Sequence, residues 1–186
     1  MNKLGARLKP GVIPSEVGDG AARLPDDLVR AFSEMRDELV STLWFILRNT
    51  DDAQDAAQDA FLKCWRNRQE LSEVRDLRAW IFRIALNAAK DLQRSGWRRR
   101  VRRLLGGESM LAAHETAPAQ SLEDREMLDR LRRAVLDLRD EERQVFLLRQ
   151  NGELTYEQIA EIRGAPVGTV KTQMRAALQK LRQQLG

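Results

Sequence analysis

The sequence predicts an all-α protein made of two small helical domains joined by a flexible linker. Apolar residues recur at intervals of three and four from Leu24 to about Arg100, and again from Leu122 to the end of the chain. No stretch shows the strict alternation of a β-strand, and no internal repeat is visible. Aromatic residues make up 5% and charged residues 32% of the chain, which suits helices better than a sandwich or barrel.

This pattern divides the chain into four segments. Residues 1–23 contain Gly and Pro without periodicity and are predicted to form a flexible N-terminal tail. The first helical domain is predicted at 24–103 and the second at 122–186. Residues 104–121, between them, contain paired glycines and a proline and are predicted to be the linker.

The composition narrows the class of protein. The chain has 186 residues, with 32 Lys and Arg against 28 Asp and Glu, so its net charge is only +4 and the distribution of charge matters more than the total. The single cysteine, Cys64, excludes an internal disulfide. No segment reads as a signal peptide or approaches the roughly 20 apolar residues of a membrane span. We therefore expect a cytoplasmic protein without membrane insertion.

One helix of the first domain is predicted within "DDAQDAAQDAFLKCWRNR", residues 51–68. Its inner stripe is Ala53, Ala56, Ala57, Ala60, Phe61, Cys64 and Trp65, and its outer stripe is Asp52, Asp55, Asp59 and Leu62. The helix dipole accounts for acids in the first turn but not for Asp59 or for an apolar Leu62 on the polar face. An acidic face with one exposed hydrophobic residue indicates a protein partner rather than DNA.

The next helix is predicted within "DLRAWIFRIALNAAKDLQRSGWRRR", residues 76–100, and its apolar arc covers more than half the circumference. The remaining strip carries an indole, an amide and three cations: Trp80, Arg83, Asn87, Lys90 and Arg94. Such a strip is typical of a surface that stacks bases and follows a single-stranded backbone. The alternative, that Trp80 belongs to the core and the cations are only solvated, stays open. Nearby arginines would extend a phosphate-binding track: Arg98, Arg99, Arg100, Arg102 and Arg103.

In the second domain, helix-capping residues and apolar periodicity predict where each helix begins and ends. Its first helix is predicted to bury Met127, Leu128, Leu131, Val135 and Leu138 on one face. A second helix, at about 141–150, is predicted to end at a left-handed pair, Asn151 and Gly152.

A helix-turn-helix is predicted to follow. Thr155 and Gln158 form a capping box that starts the third helix, and Gly164 supplies the positive φ that ends it. Pro166 suits the first turn of the last helix because it lacks an N–H. The short connection between the two helices is the spacing of a helix-turn-helix.

The last helix leaves Thr169, Lys171, Thr172 and Arg175 on its outer face, and no acid occurs from Pro166 to Gly186. Hydroxyls and cations in this arrangement suit phosphate and base contacts in the major groove. A merely solvated amphipathic helix is the alternative. The acid-free span and the preceding tight turn favour duplex DNA as the ligand.

Three segments, in this order, resemble the extracytoplasmic-function (ECF) group of bacterial RNA polymerase sigma factors: "DDAQDAAQDAFLKCW", "LRAWIFRIALNAAKDLQR" and "LTYEQIAEIRGAPVGTVKTQMRAALQKLR". The resemblance covers about Leu24 to Leu185. It implies that 24–103 is sigma region 2 and 122–186 is sigma region 4. Arg163 and Ala165 stand where the family usually has larger apolar residues, so we expect looser packing around the turn.

The resemblance also implies roles for individual residues. Region 2 would bind the clamp helices of core RNA polymerase through Asp55, Gln58, Asp59 and Leu62. It would recognise and melt the −10 promoter element with Trp80, Arg83, Asn87, Lys90 and Arg94, and capture a flipped base in the stretch 69–76. Region 4 would contact the polymerase flap and read the −35 element with Thr169, Lys171, Thr172 and Arg175. An anti-sigma factor is a further implied partner.

Enzyme chemistry finds no support in the sequence. No glycine-rich phosphate loop is present, the only histidine is His114 in the predicted linker, and no His/Cys cluster could bind a metal. We therefore expect a non-enzyme without cofactor or metal. The main rival is an autonomous helix-turn-helix repressor or activator. A nucleic-acid enzyme and a module that sequesters polymerase are the remaining alternatives.

Overall fold

A computed structural model describes residues 25–103 and 122–186, with side chains described at 25–95 and 125–186. Within those ranges the chain forms eight α-helices and one 3-10 helix, and no strand. The predicted all-α fold is therefore confirmed. The predicted tail and linker lie outside the described residues, and so does His114. The domain boundaries stay predictions.

The helices fall into two bundles. The N-terminal bundle contains α1 (Pro25–Glu34), α2 (Arg36–Leu47), α3 (Thr50–Arg66), the 3-10 helix (Arg68–Glu73) and α4 (Leu77–Arg103). The C-terminal bundle contains α5 (Leu122–Leu136), α6 (Asp140–Gln150), α7 (Tyr156–Arg163) and α8 (Val167–Leu185).

Small residues form the centre of the N-terminal bundle, where α3 packs against α2 and α4. The buried alanines on α3 are Ala53, Ala56, Ala57 and Ala60, and those on α4 are Ala79, Ala85, Ala88 and Ala89. Because alanine leaves little side-chain volume between two helices, the helix axes can approach closely. The predicted apolar arc of α4 lies in this core, with Ile81 and Phe82 fully buried.

Short polar residues start α3 and α4 of the N-terminal bundle. The Asn49 side chain accepts a hydrogen bond from the backbone N–H of Asp52, 2.9 Å away, and caps α3. The Asp76 carboxylate accepts one from the N–H of Ala79 at 2.8 Å, at the start of α4. The stretch 69–76, which the family resemblance presents as a loop, is mostly a 3-10 helix whose Leu71 is buried.

Larger aliphatic side chains fill the C-terminal bundle. Val145 and Leu148 of α6, Ile159 of α7 and Val170 of α8 are fully buried. An ion pair joins Lys180 of α8 to the nearly buried Glu142 of α6 at 2.6 Å. The helix-turn-helix is thus built on a core that holds α8 against both α6 and α7.

The helix-turn-helix has the predicted local structure. Thr155 and Gln158 form the capping box, with hydrogen bonds of 2.8 and 3.2 Å, and α7 begins at Tyr156. Gly164 ends α7 with φ of 63°. Pro166 is the N-cap of α8 and not a residue of its first turn, one position earlier than predicted.

Two predictions about the C-terminal bundle are wrong. Met127, Leu128 and Leu131 are not buried; they are 54, 43 and 39% exposed, because only the last turns of α5 reach the core through Ala134 and Val135. The end of α6 is not a left-handed Asn-Gly pair, since Asn151 is right-handed and the positive φ, 54°, belongs to Glu153.

Gly152 is required at the end of α6 for space rather than for φ. A Cβ at this position would lie 2.5 Å from the carbonyl oxygen of Leu148. The sequence correctly indicated that a glycine is needed at this helix end, but the reason is the lack of space for a Cβ and not a positive φ.

Candidate nucleic-acid and protein interfaces

The acidic face predicted on α3 lies on the surface. Asp55, Gln58 and Leu62 are exposed, Leu62 to 48%. Asp59 is partly exposed, and its carboxylate lies 2.8 Å from Lys63, whose amine is also 3.6 Å from Asp91. The four residues share one side of the helix, so the structure brings the predicted protein-binding set together.

Trp65, predicted in the inner stripe of α3, is 37% exposed, so that assignment is wrong. It lies in the last turn of α3, where its ring stacks on Phe61 at 6.2 Å and the Arg68 guanidinium covers it at 5.0 Å. The aromatic pair continues into the core through an edge contact between Phe61 and Phe32. This Trp65–Arg68 pair borders the acidic face and was missed, although the spacing of three residues at the helix end was visible.

The residues of the strip predicted on α4 differ in how far they are exposed to solvent. Asn87 and Arg94 are exposed, whereas Trp80, Arg83 and Lys90 are partly buried, and Trp80 packs against the core. The Arg83 guanidinium donates to the Glu161 carboxylate of α7 at 2.9 Å. Its Nε is buried and has no hydrogen-bond partner among the described residues. Of the distal arginines, 98–103, only the helical backbone is described.

The four residues predicted on α8 are all exposed and form one patch: Thr169, Lys171, Thr172 and Arg175. Thr172 Oγ1 donates to the carbonyl of Gly168 at 2.9 Å, within the first turns of the helix. Lys171 lies over the Tyr156 ring at 5.8 Å, and Arg149 approaches the same ring at 5.5 Å. Two cations on one aromatic ring extend the positive surface from α8 onto α6.

A side-chain contact of Arg163 bridges the turn before α8, and the expected looser packing around Arg163 and Ala165 stays a prediction. The Arg163 guanidinium donates a hydrogen bond to the side-chain oxygen of Gln173 and so joins α7 to α8. Burial lowers the pKa of Arg163, and the nearby Glu141 opposes that effect. A polar link thus replaces the apolar contact expected from the family.

No group of three or more His, Cys, Asp or Glu in the described ranges could hold a metal ion. Burial raises the pKa of the Cys64 thiol to about 12, which makes it unreactive at neutral pH. None of the described helices is both long and apolar enough to cross a membrane.

Each of the two bundles matches a known protein family. The sequence matches Sigma-70 region 2 over residues 31–99 and Sigma-70 region 4 over residues 128–181. SigL of Mycobacterium tuberculosis, an ECF RNA polymerase sigma factor, is 33% identical over 179 residues, covering 90% of this chain and 96% of SigL. SigW of Bacillus subtilis, of the same group, is 29% identical over 160 residues, covering 81% of this chain and 84% of SigW.

Solved structures share the fold. The sigma factor RpoE of Bartonella quintana, crystallised with the anti-sigma factor NepR, aligns with a TM-score of 0.71 at 22% identity, over 86% of this chain and 97% of RpoE. CnrH, in complex with the cytosolic domain of CnrY, aligns with a TM-score of 0.59 at 21% identity, over 89% of this chain and 92% of CnrH.

The two bundles are therefore sigma regions 2 and 4, in the order that the sequence predicted. The relatives are transcription factors and not enzymes, and an autonomous repressor is not favoured. The chain belongs to the ECF group of RNA polymerase sigma factors and is an alternative sigma factor that directs transcription initiation.

Proposed function

We propose that this sigma factor binds core RNA polymerase through α3, melts the −10 element with α4 and reads the −35 element with α8. The observation that carries this assignment is the exposed, acid-free face of α8, which the capping box and Gly164 hold at the end of a helix-turn-helix. Its hydroxyl and cationic groups match the contacts that phosphates and base edges offer in the major groove.

Polymerase binding is assigned to the exposed side of α3. Asp55, Gln58, Asp59 and Leu62 present carboxylates around one apolar side chain, which suits a helical partner with basic residues around a hydrophobic contact. The exposed Trp65 adds apolar area at the edge of this face. Tryptophan and arginine are enriched among residues that carry binding energy, so Trp65 and Arg68 belong to the proposed interface.

Melting of the −10 element is assigned to α4 and the stretch 69–76. Opening DNA costs about 1.4 kcal/mol per base-pair step, and stacking an extruded base on an aromatic side chain returns roughly 1–3 kcal/mol. The exposed part of Trp80, whose remainder packs against the core, provides the aromatic surface. Contacts to the strand come from Arg83, Asn87, Lys90 and Arg94. The factor thus captures an opening that fluctuation and polymerase contacts permit, and it needs no nucleotide hydrolysis.

Two weak DNA contacts act as one strong contact when a rigid polymerase holds both. Once one element is bound, the second binds at a high effective concentration set by the linker. This explains why neither bundle needs high affinity alone. An autonomous regulator predicts the opposite, namely tight binding to promoter DNA without polymerase.

We also propose an anti-sigma factor as a regulatory partner and the cytoplasm as the location, because the polymerase is there. The structural relatives RpoE and CnrH were both solved in complex with another protein, the anti-sigma factor NepR and the cytosolic domain of CnrY.

Run-off transcription tests the proposed function. Core polymerase freed of other sigma factors is supplied with the purified chain and a genomic promoter library, and RNA is sequenced from its start sites. We expect start sites that share one −10 and one −35 sequence. Absence of promoter-dependent RNA, together with tight DNA binding by the chain alone, would overturn the proposal in favour of an autonomous regulator.

A further inference from the structure

The two bundles contact each other through side chains that no local sequence pattern predicts. Arg78, in the first turn of α4, donates from Nε to the carbonyl oxygen of Gly152 and from Nη2 to that of Asn151, both at 2.7 Å. These carbonyls lie just after the end of α6, where carbonyl groups lack intrahelical partners and the helix dipole is negative. A guanidinium from one bundle therefore caps a helix of the other.

Further polar contacts surround this cap. The Gln158 amide of α7 donates to Asp76 at 2.6 Å, and the Asn151 amide donates to the buried Thr42 of α2 at 3.1 Å. Arg48, at the end of α2, donates to the Leu136 carbonyl at 2.8 Å. The Arg132 guanidinium of α5 lies over the Trp44 ring at 5.5 Å. The interface is thus mainly polar, which is typical of domain contacts that open and close.

The contact covers the promoter-facing side of α4. Glu161 of α7 places its carboxylate 2.9 Å from Arg83, where the proposed function places an acidic DNA backbone. Asp76, at the end of the stretch assigned to base capture, is bound by Gln158. The first helix of the helix-turn-helix therefore occupies the −10 surface of region 2, with a carboxylate in the position of a phosphate.

This arrangement is incompatible with reading both promoter elements at once. The −10 and −35 elements are about 25 base pairs apart, which is roughly 85 Å at about 3.4 Å per base pair. In the structure α7, directly before α8, touches α4, and α8 itself is only about 28 Å long at 1.5 Å per residue. Residues 104–121 can reach at most roughly 60 Å when extended, so separation of the bundles can supply the remaining span.

We propose that the free sigma factor is autoinhibited by this contact, with Arg78 and Glu161 as the two groups that hold region 4 on the −10 surface. The inference rests on the proposed function, since it assigns the closed surface to DNA. Polymerase binding opens the contact because region 2 and region 4 then bind separate sites.

Energy transfer between two dyes tests the closed state. Cysteines at Ser33 of α1 and Gln183 of α8, both exposed, carry the dyes, and the native Cys64 stays unlabelled because it is buried and its pKa is raised to about 12. We expect high transfer for the free chain, a fall when core polymerase is added, and a comparable fall without polymerase for Arg78→Ala combined with Glu161→Ala. Circular dichroism checks that the variant remains helical.

Matched variants separate the contact from general damage. Arg78→Lys keeps the charge but loses the two-pronged donor, so it should open the chain. Arg130→Ala, on the exposed side of α5, removes the same charge as Arg78→Ala and should leave the chain closed. Arg83→Glu should open the chain, and Arg83→Glu with Glu161→Arg should close it again. This exchange is read by energy transfer alone, because Arg83 also belongs to the proposed DNA surface.

Binding to polymerase supplies a second measurement. If a closed state competes with binding, the apparent dissociation constant for core polymerase should fall about threefold or more in Arg78→Ala with Glu161→Ala. Equal transfer in wild type and variant, unchanged by polymerase, would overturn the inference. Run-off transcription by the wild type separates failure of this inference from failure of the proposed function. If promoter-dependent RNA is made but energy transfer does not change, only autoinhibition is wrong. If energy transfer changes but no promoter-dependent RNA is made, only the proposed function is wrong.

Discussion

The exposed face of α3 carries carboxylates around Leu62, whereas the exposed face of α8 carries Lys171 and Arg175 and no acid. Both helices are amphipathic and each buries one side in its own bundle. The difference lies only in what each presents to solvent, and it separates a surface suited to protein from one suited to nucleic acid. One chain therefore brings two partners together by keeping their surfaces on different bundles.

The two bundles also differ in what sets their geometry. The N-terminal bundle depends on alanines that let α3 and α4 approach, and its exposed residues are placed by that packing. In the C-terminal bundle, short-range signals such as the Thr155 capping box and the left-handed Gly164 set the helix ends. Region 4 is therefore more sensitive to single changes in its turns, and region 2 to changes of volume in its core.

The largest effect of a single substitution is expected on the acidic face of α3, which is proposed to bind polymerase. Asp59→Arg should abolish co-purification with core polymerase, because it reverses the charge at the centre of the acidic face. The fold should remain intact, since the surface pair of Asp59 with Lys63 is worth only about 0.3–0.5 kcal/mol. Glu38→Arg on α2, with the same change of charge, is the control and should bind normally. Wild-type binding by Asp59→Arg would remove the assignment of α3.

The nucleic-acid side is tested by Arg175→Ala. If Arg175 contacts a base, the variant should lose about 1–3 kcal/mol of discrimination at the −35 element, or about 5- to 150-fold. Run-off yields from promoters with intact and altered −35 sequences measure the ratio. Arg130→Ala removes the same charge from α5 and should leave the ratio unchanged. Equal promoter preference in Arg175→Ala and wild type would count against α8 as the reading helix.

The sensitivity of the region 4 turns can be tested at the end of α6. Gly152→Ala would place a Cβ 2.5 Å from the Leu148 carbonyl oxygen, a backbone atom that moves only with the helix. We expect a loss of about 1–3 kcal/mol in the free energy of unfolding, measured by urea titration. An unchanged urea midpoint would show that the turn adapts more easily than its packing suggests.

Loss of the capping box should have a smaller effect. Thr155→Ala removes the side-chain acceptor for the Gln158 N–H and should cost about 1 kcal/mol. Thr155→Ser keeps the acceptor and should lie within a few tenths of a kcal/mol of wild type. If the two variants are equally stable, the cap contributes less than the tertiary packing of α7.

The smallest change should be a gain. Gly168 lies in the first turn of α8, and a Cβ there would meet nothing within 4 Å. Gly168→Ala should therefore raise the free energy of unfolding by about 0.5–1 kcal/mol, because glycine loses more backbone freedom in a helix than alanine. A loss of stability would show that this turn of α8 is not as open as its geometry indicates.

Local sequence patterns predicted much of region 4 correctly, and they also led to some wrong predictions. Thr155, Gln158 and Gly164 were placed correctly because hydrogen bonds between near neighbours determine helix ends. Met127, Leu128 and Leu131 were wrongly buried, since periodicity identifies an apolar face but not how far a partner helix extends along it. Trp65 was also wrongly placed inside, since periodicity does not fix the width of the buried face: the neighbouring Cys64 is fully buried, whereas Trp65 is 37% exposed.

By itself the sequence determined the helical class, the two ends of α7 and the segregation of charge between α3 and α8, all of which depend on residues a few positions apart. Only the tertiary structure decided that Arg78 caps α6 and that Glu161 meets Arg83. These partners are more than 70 residues apart in the chain, and nothing in either local sequence specifies the other. Contacts between such groups arise from the docking of two folded surfaces, which a one-dimensional pattern does not encode.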